Sequence, residues 1–214
     1  MKGVVFDLDG TLLDSMPTIK RCLNAILVKY GSAPLNDAEL RPQIGRKFRD
    51  ILSEKIKDVE PAFKDYRALQ LATFQQDTKA YPGAHRLLKR LAARDVQMAI
   101  VTMRIGRVAR IIVGAYDMTP PVKAVLGDDE VERPKPCPEA IWSACKALGT
   151  KPEDTIVVGD TRFDILAGKA AGCRTIGVTW GYGRNEEMRE AGADLLVDDF
   201  DELEEAILSY ENME

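Results

Sequence analysis

The stretch Val4-Val5-Phe6-Asp7-Leu8-Asp9-Gly10-Thr11-Leu12-Leu13 constrains this chain more than any other. A short apolar run of β-branched and aromatic residues, bounded by turn formers, predicts a buried strand. Asp7 then falls at the strand's carboxyl end, and Asp9 just beyond it. Open α/β sheets hold their ligands at that edge. Two carboxylates this close repel unless a cation joins them or one keeps a proton. The pair therefore fits a hard-metal site of oxygen ligands, or a nucleophile beside an acid/base group. Two solvated turn aspartates would give the same short pattern, so the other strand ends have to decide.

After the first strand the rhythm is helical. Ile19, Cys22, Leu23, Ile26 and Leu27 recur at helix spacing behind Ser15, the expected cap, and Pro17 in the first turn. Asn36-Asp37 opens a short element. Phe48, Ile51, Leu52 and Ile56 form a further face, and Phe63, Tyr66, Leu69, Leu71 and Phe74 carry the pattern toward Ala80. No strand is expected from Ser15 to Lys79. Tyr81-Pro82-Gly83 breaks the run. Beyond it strands and helices alternate: strands at Val96–Val101, Val122–Leu126, Thr155–Val158, Arg174–Val178 and Leu195–Val197, and helices between them and at Leu203–Leu208. Alternation of this kind implies a parallel sheet with right-handed crossovers. The predicted fold is α/β: a doubly wound, Rossmann-like core of residues 1–14 and 82–214, with an inserted α-helical cap over residues 15–81. The crossings Asp14–Pro17 and Tyr81–Gly83 are candidate hinges.

Three more strand ends carry polar groups. Val96–Val101 stops at Thr102, whose hydroxyl and following N–H groups could hold a phosphate oxygen or simply cap a helix. Lys135 lies between Pro134 and Pro136 on a stiff loop, where an ammonium can neutralise phosphoryl oxygens or separate the aspartates. Ile156-Val157-Val158-Gly159 delivers Asp160 to a position like that of Asp7, with Asp164 one helical turn on.

Taken together, Phe6-Asp7-Leu8-Asp9-Gly10-Thr11-Leu12, Val101-Thr102, Pro134-Lys135-Pro136-Cys137-Pro138 and Gly159-Asp160 with Asp164 resemble the haloacid dehalogenase-like hydrolase superfamily. The resemblance is to its phosphatase branch with a helical cap after the first strand. Trp180-Gly181-Tyr182-Gly183 and Asp14-Ser15 point within it to the phosphoglycolate phosphatase and pyrophosphatase group. The resemblance implies a Mg²⁺-dependent phosphatase acting on a small phosphorylated metabolite through an aspartyl-phosphate. Asp7 would be the nucleophile, and Asp9 the acid and then the base. Asp7, the Asp9 carbonyl and Asp160 would hold the metal, with Asp164 supporting them. Thr102, Lys135 and N–H groups near Gly10 and Met103 would hold the phosphate. Family members often carry Asn or Ser where Met103 stands, which bears on substrate preference. In the cap, Arg46 and Lys47 of Gly45-Arg46-Lys47-Phe48-Arg49 are the candidates to meet an anionic leaving group.

Phosphoglycolate is the leading substrate and pyrophosphate the alternative. A sugar phosphomutase would ordinarily carry a cap histidine, and 15–79 has none; the single histidine, His85, reads as a helix residue. A non-catalytic phospholigand-binding protein is the remaining alternative. A net charge of −4 offers no basic excess for nucleic acid, and no apolar run approaches the ~20 residues a membrane helix needs. Four cysteines without a Cys-x-x-Cys pair or a secretory signal fit a cytoplasmic protein, monomeric or homodimeric.

Overall fold

The computed structural model describes residues 2–210. In chain order the elements are β1 (Gly3–Phe6), β2 (Leu13–Asp14), α1 (Met16–Lys29), α2 (Asp37–Leu40), α3 (Phe48–Ser53), α4 (Val59–Asp77), β3 (Lys79–Ala80), α5 (Ala84–Ala92), β4 (Gln97–Val101), α6 (Gly106–Ala115), β5 (Val122–Leu126), α7 (Glu139–Leu148), β6 (Thr155–Gly159), α8 (Arg162–Ala171), β7 (Arg174–Val178), α9 (Asn185–Glu190), β8 (Leu195–Val197) and α10 (Phe200–Ser209). Six strands form one sheet in the order β5-β4-β1-β6-β7-β8, all parallel.

Side-chain alternation explains the layers. Val4, Phe6, Met98, Ile100, Ile156 and Val158 point to one face and pack with Leu87, Leu91, Val108, Ile112 and Leu203 of α5, α6 and α10. Val5, Ala99, Val101 and Val157 point to the other, against Ala140, Ile141, Ala144 and Ala167 of α7 and α8. A sheet covered on both faces needs strands apolar at every position, which is why these runs read so clearly. Each fully buried aliphatic side chain contributes about 1.5–3 kcal/mol.

The chain leaves β1 and returns as β4 on one side; it later returns as β6 on the other. The carboxyl end of β1 is thus the point where the winding reverses, and a crevice opens there. Helices α1–α4 sit apart with a cluster of their own, built from Ile19, Leu23, Leu27, Leu40, Ile51, Leu52 and Tyr66, joined by Tyr182 from the sheet side.

Two features differ from the expectation. Residues Leu13–Asp14 and Lys79–Ala80 form a small antiparallel ribbon exactly where the chain enters and leaves the helical segment. The strand-free stretch therefore ends one residue earlier than predicted. Ser15 precedes α1 but does not cap it with its side chain; its hydroxyl donates to Asp9 instead. The Asn36 cap of α2 is complete, with Glu39 closing a capping box.

Candidate active site

Asp7 follows β1 directly, its N–H donating to the Val158 carbonyl of β6 at 2.8 Å. Asp160 follows β6, and Asp164 lies in the first turn of α8. Parallel pairing of β1 with β6 places these ends side by side, so one carboxylate oxygen from each of Asp7, Asp160 and Asp164 lies within 4.8 Å of the others. All three are buried.

Lys135 enters from the loop before α7. Its Nζ donates to Asp7 Oδ1 and Asp164 Oδ1, both at 2.6 Å, and to the Val101 carbonyl at 3.0 Å. Burial pulls its pKa down, but the Asp164 and Asp7 carboxylates outweigh this and raise it, so the ammonium stays charged. One ammonium does not balance three carboxylates. Burial, together with the neighbouring acids, pushes Asp7 well above the usual carboxylate range, against the pull of Lys135. Asp160 is pushed up to about 7, by burial first and Asp164 next.

Asp160 is held on both oxygens, by the Tyr182 N–H at 2.7 Å and the Thr11 hydroxyl at 3.2 Å. Its surroundings leave no space for side chains. A Cβ on Gly10 (φ +93°) would lie 2.3 Å from Asp160 Oδ2, and one on Gly181 would lie 2.2 Å from its Cβ. Gly10 thus serves the close approach of the loop to Asp160. Its own N–H is occupied, donating to the Leu13 carbonyl at 2.8 Å, and is not available to a phosphate. Asp164 Oδ2 accepts from Thr161 N–H and hydroxyl at 3.0 and 2.7 Å, which closes the α8 cap.

The five remaining predicted residues divide. Thr102 is buried, and its hydroxyl accepts from the Arg104 N–H at 3.2 Å. Asp7, Asp9, Thr102, Met103, Lys135 and Asp164 line one small cavity, and Arg46, Gly45, Ile44 and Phe48 close it from the helical segment. Its volume is about 20 Å³. Among the described residues the N–H groups of Asp9 and Met103 find no protein acceptor. Arg46 also bonds Gln43 and Glu54. Lys47 does not line the cavity; it stands at the start of α3.

Arg104 was not anticipated. Its Nε and Nη2 grip Asp9 Oδ2 and Oδ1 at 2.7 and 2.6 Å, a two-pronged ion pair buried on the arginine side. The arginine follows Thr102 by two residues, a basic group beside a predicted phosphate-binding threonine, and that adjacency was the available signal.

The family model for haloacid dehalogenase-like hydrolases matches residues 4–178. The chain belongs to that family. It is 30% identical over 210 residues to phosphoglycolate phosphatase 1 of Pseudomonas aeruginosa, covering 94% of this chain and 77% of that protein. It is 31% identical to the phosphoglycolate phosphatase of Rhodospirillum rubrum, covering 93% and 88%. The crystal structure of a predicted phosphatase from Clostridium acetobutylicum superposes with a TM-score of 0.87 at 27% identity, covering 97% of this chain and 98% of that one. Among the described residues no helix is long and apolar enough to cross a membrane.

Proposed function

We propose that this hydrolase is a Mg²⁺-dependent phosphatase that releases phosphate from a small metabolite through an aspartyl-phosphate on Asp7, with phosphoglycolate as the leading substrate. The enzyme class, phosphoric monoester hydrolase, follows from the family and its phosphoglycolate phosphatase relatives. The observation that carries the mechanism is the convergence of Asp7, Asp160, Asp164 and Lys135 at the reversal point of the sheet, against a cavity.

A divalent ion suits this nest. Three carboxylates share one ammonium, every free donor is an oxygen, and Asp160, one of the two raised acids, has no ion-pair partner. Asp7, Asp160 and the Asp9 carbonyl would hold Mg²⁺. Asp164, whose Oδ1 accepts from Lys135 and Oδ2 from Thr161, would support the metal shell while orienting Lys135. When bound, the metal screens the repulsion between an anionic carboxylate and an anionic phosphate.

The side chains then divide the work. Asp7, held at one oxygen by Lys135, attacks phosphorus with the other, and the bond to the leaving oxygen breaks. Asp9, which takes up a proton from water as substrate enters while Arg104 holds its carboxyl group, gives that proton to the leaving oxygen. In the second step Asp9 takes a proton from water, which attacks the same phosphorus and returns the Asp7 carboxylate. Thr102, Lys135 and the N–H groups of Asp9 and Met103 hold the phosphoryl oxygens. Residues 15–81 act as the cap. A cavity of about 20 Å³ has room for one water but not for a phosphoester, so the cap must lift to admit substrate. Ile44 and Thr161 also border a cleft of about 440 Å³, and parting them opens the way in. Arg46 meets the leaving group. The four free cysteines accord with a reducing, cytoplasmic setting.

Turnover of phosphoglycolate and p-nitrophenyl phosphate, with and without Mg²⁺, tests this. Asp7→Asn is expected to lower kcat by about 10³-fold or more while leaving a folded protein. A mutant as active as wild type would reject the covalent route.

A further inference from the structure

Arg104 is nearly without solvent contact, the only arginine so placed among the described residues. Two of its nitrogens serve Asp9. The third, Nη1, donates to Oε1 of Gln70 at 3.1 Å. Gln70 belongs to α4, on the cap side, and is itself buried. Its Nε2 donates to the Tyr66 hydroxyl at 2.6 Å, and Tyr66 is wedged between Phe48 and Phe63, with ring centroids 5.2 and 6.5 Å away. An unbroken line of contacts therefore runs from the aromatic core of the cap to the carboxylate of Asp9.

Tyr66, Gln70 and Phe74 share the buried stripe of α4 at four-residue spacing. An amide at the centre of such a stripe is costly to bury unless it is bonded. Gln70 is bonded at both ends, to Tyr66 and to Arg104, and the second bond crosses from cap to core. A guanidinium pinned at one edge by a carboxylate can still tilt; a contact at its far nitrogen fixes the plane.

From this geometry we infer that Arg104 is a positioning residue for Asp9, and that Gln70 makes the positioning conditional on a seated cap. The inference rests on the phosphatase reading, in which Asp9 serves the leaving oxygen. Lifting the cap as one body would carry α4 away from the loop after β4 and break the Arg104–Gln70 bond. With the cap open, Arg104 loses its far anchor and gains room, and Asp9 loses its fixed orientation. On closure Gln70 returns, the plane is set, and Asp9 is aimed. The device would confine acid/base assistance to the closed, water-poor state.

The test is a double-mutant cycle on p-nitrophenyl phosphate turnover at saturating Mg²⁺, using wild type, Gln70→Met, Arg104→Met and the double mutant, with the Tm of each. Gln70→Met keeps the length and removes the acceptor. It is expected to lower kcat about 10-fold with KM changed less than about twofold. Arg104→Met is expected to lower kcat about 100-fold, and adding Gln70→Met to it should cost less than about twofold more. A merely structural role for Gln70 would lower Tm without splitting kcat from KM, and its effect would multiply with that of Arg104→Met. Either that multiplication, or a Gln70→Met kcat within about twofold of wild type, overturns the inference. Should Arg104→Met not fold, Arg104→Lys replaces it in the same cycle, since it keeps the charge and loses the fork. Failure of the phosphatase reading is distinct: wild type would turn over no phosphoester, or Asp7→Asn would stay fully active.

Discussion

Asp7 and Asp9 stand two residues apart and answer to different parts of the molecule. Asp7 sits on a floor made wholly by the sheet and its crossovers: Lys135 before α7, Asp160 after β6, Asp164 in α8. Asp9 looks toward the inserted helices, held by Ser15 at the head of α1 and by Arg104, which leans on Gln70 of α4. The floor is fixed by strand register and does not depend on where the helical segment lies. The Asp9 side is shared between both parts. On the reading proposed above, chemistry that is always ready and chemistry that waits for closure are anchored to different elements.

That contrast can be broken most directly at the floor. Lys135→Met removes the only cation among three buried acids. Activity is expected to fall about 10²–10³-fold, and stability at pH 8 by about 3–5 kcal/mol in urea unfolding, because two buried carboxylates lose their partner. The stability loss should shrink at pH 5, where the orphaned acids protonate. A variant with near-wild-type activity would remove Lys135 from the floor.

Metal binding should report on the same floor. Asp160 has a folded pKa of about 7, above its ordinary 3.8. In metal-free protein its contribution to stability is therefore full below about pH 4 and is lost as pH rises through 7. Mg²⁺ at about 100 times its Kd should raise Tm by about 5–10 °C at pH 8, and by less at pH 5, where protons compete. Chelation should reverse the gain. An equal rise at both pH values would argue against binding at these acids.

Smaller effects are expected on the side that faces the inserted helices. Arg46 lines the cavity but is already paired with Glu54 and one-third exposed. Arg46→Ala should lower kcat/KM about 3–10-fold more for a carboxylate-bearing phosphoester than for a neutral one. An equal effect on both would remove its role in recognition. Smallest is Asp128, after β5, which burial pushes up to about 6 against the pull of Lys47, and whose Oδ1 has no hydrogen-bond partner. Its raised pKa weakens the fold as pH climbs from about 4 through 6. Asp128→Asn should raise the urea midpoint more at pH 8 than at pH 4.

The floor was legible in the sequence because strand ends announce themselves. Val4–Phe6 and Thr155–Val158 are apolar on both faces, so the first polar residue after each, Asp7 and then Asp160 past Gly159, marks the edge of the sheet. Strands β5 and β7 fall on the predicted residues for the same reason. The other side was not legible. Arg104 finds Asp9 95 positions away and Gln70 34 positions away, and nothing local encodes either meeting. Gln70 interrupts the apolar face of α4, so the pattern through Leu69 and Leu71 passed over it; its i, i+4 spacing from Tyr66 and Phe74 was the overlooked sign. Helix α9, Asn-Glu-Glu-Met-Arg-Glu, buries only Met188 and offers no period to read. Gly10, expected in the phosphate loop, also makes room for Asp160, a role set by a residue 150 positions later.

The ribbon of Leu13–Asp14 with Lys79–Ala80 has a consequence for how such a molecule can be rebuilt. Its strands lie about 5 Å apart, so everything between them hangs from a single narrow stalk. A short hairpin turn could span the same gap, and so could a quite different insert, without disturbing the register of the sheet. Lids of other shapes could be spliced onto one unchanged base.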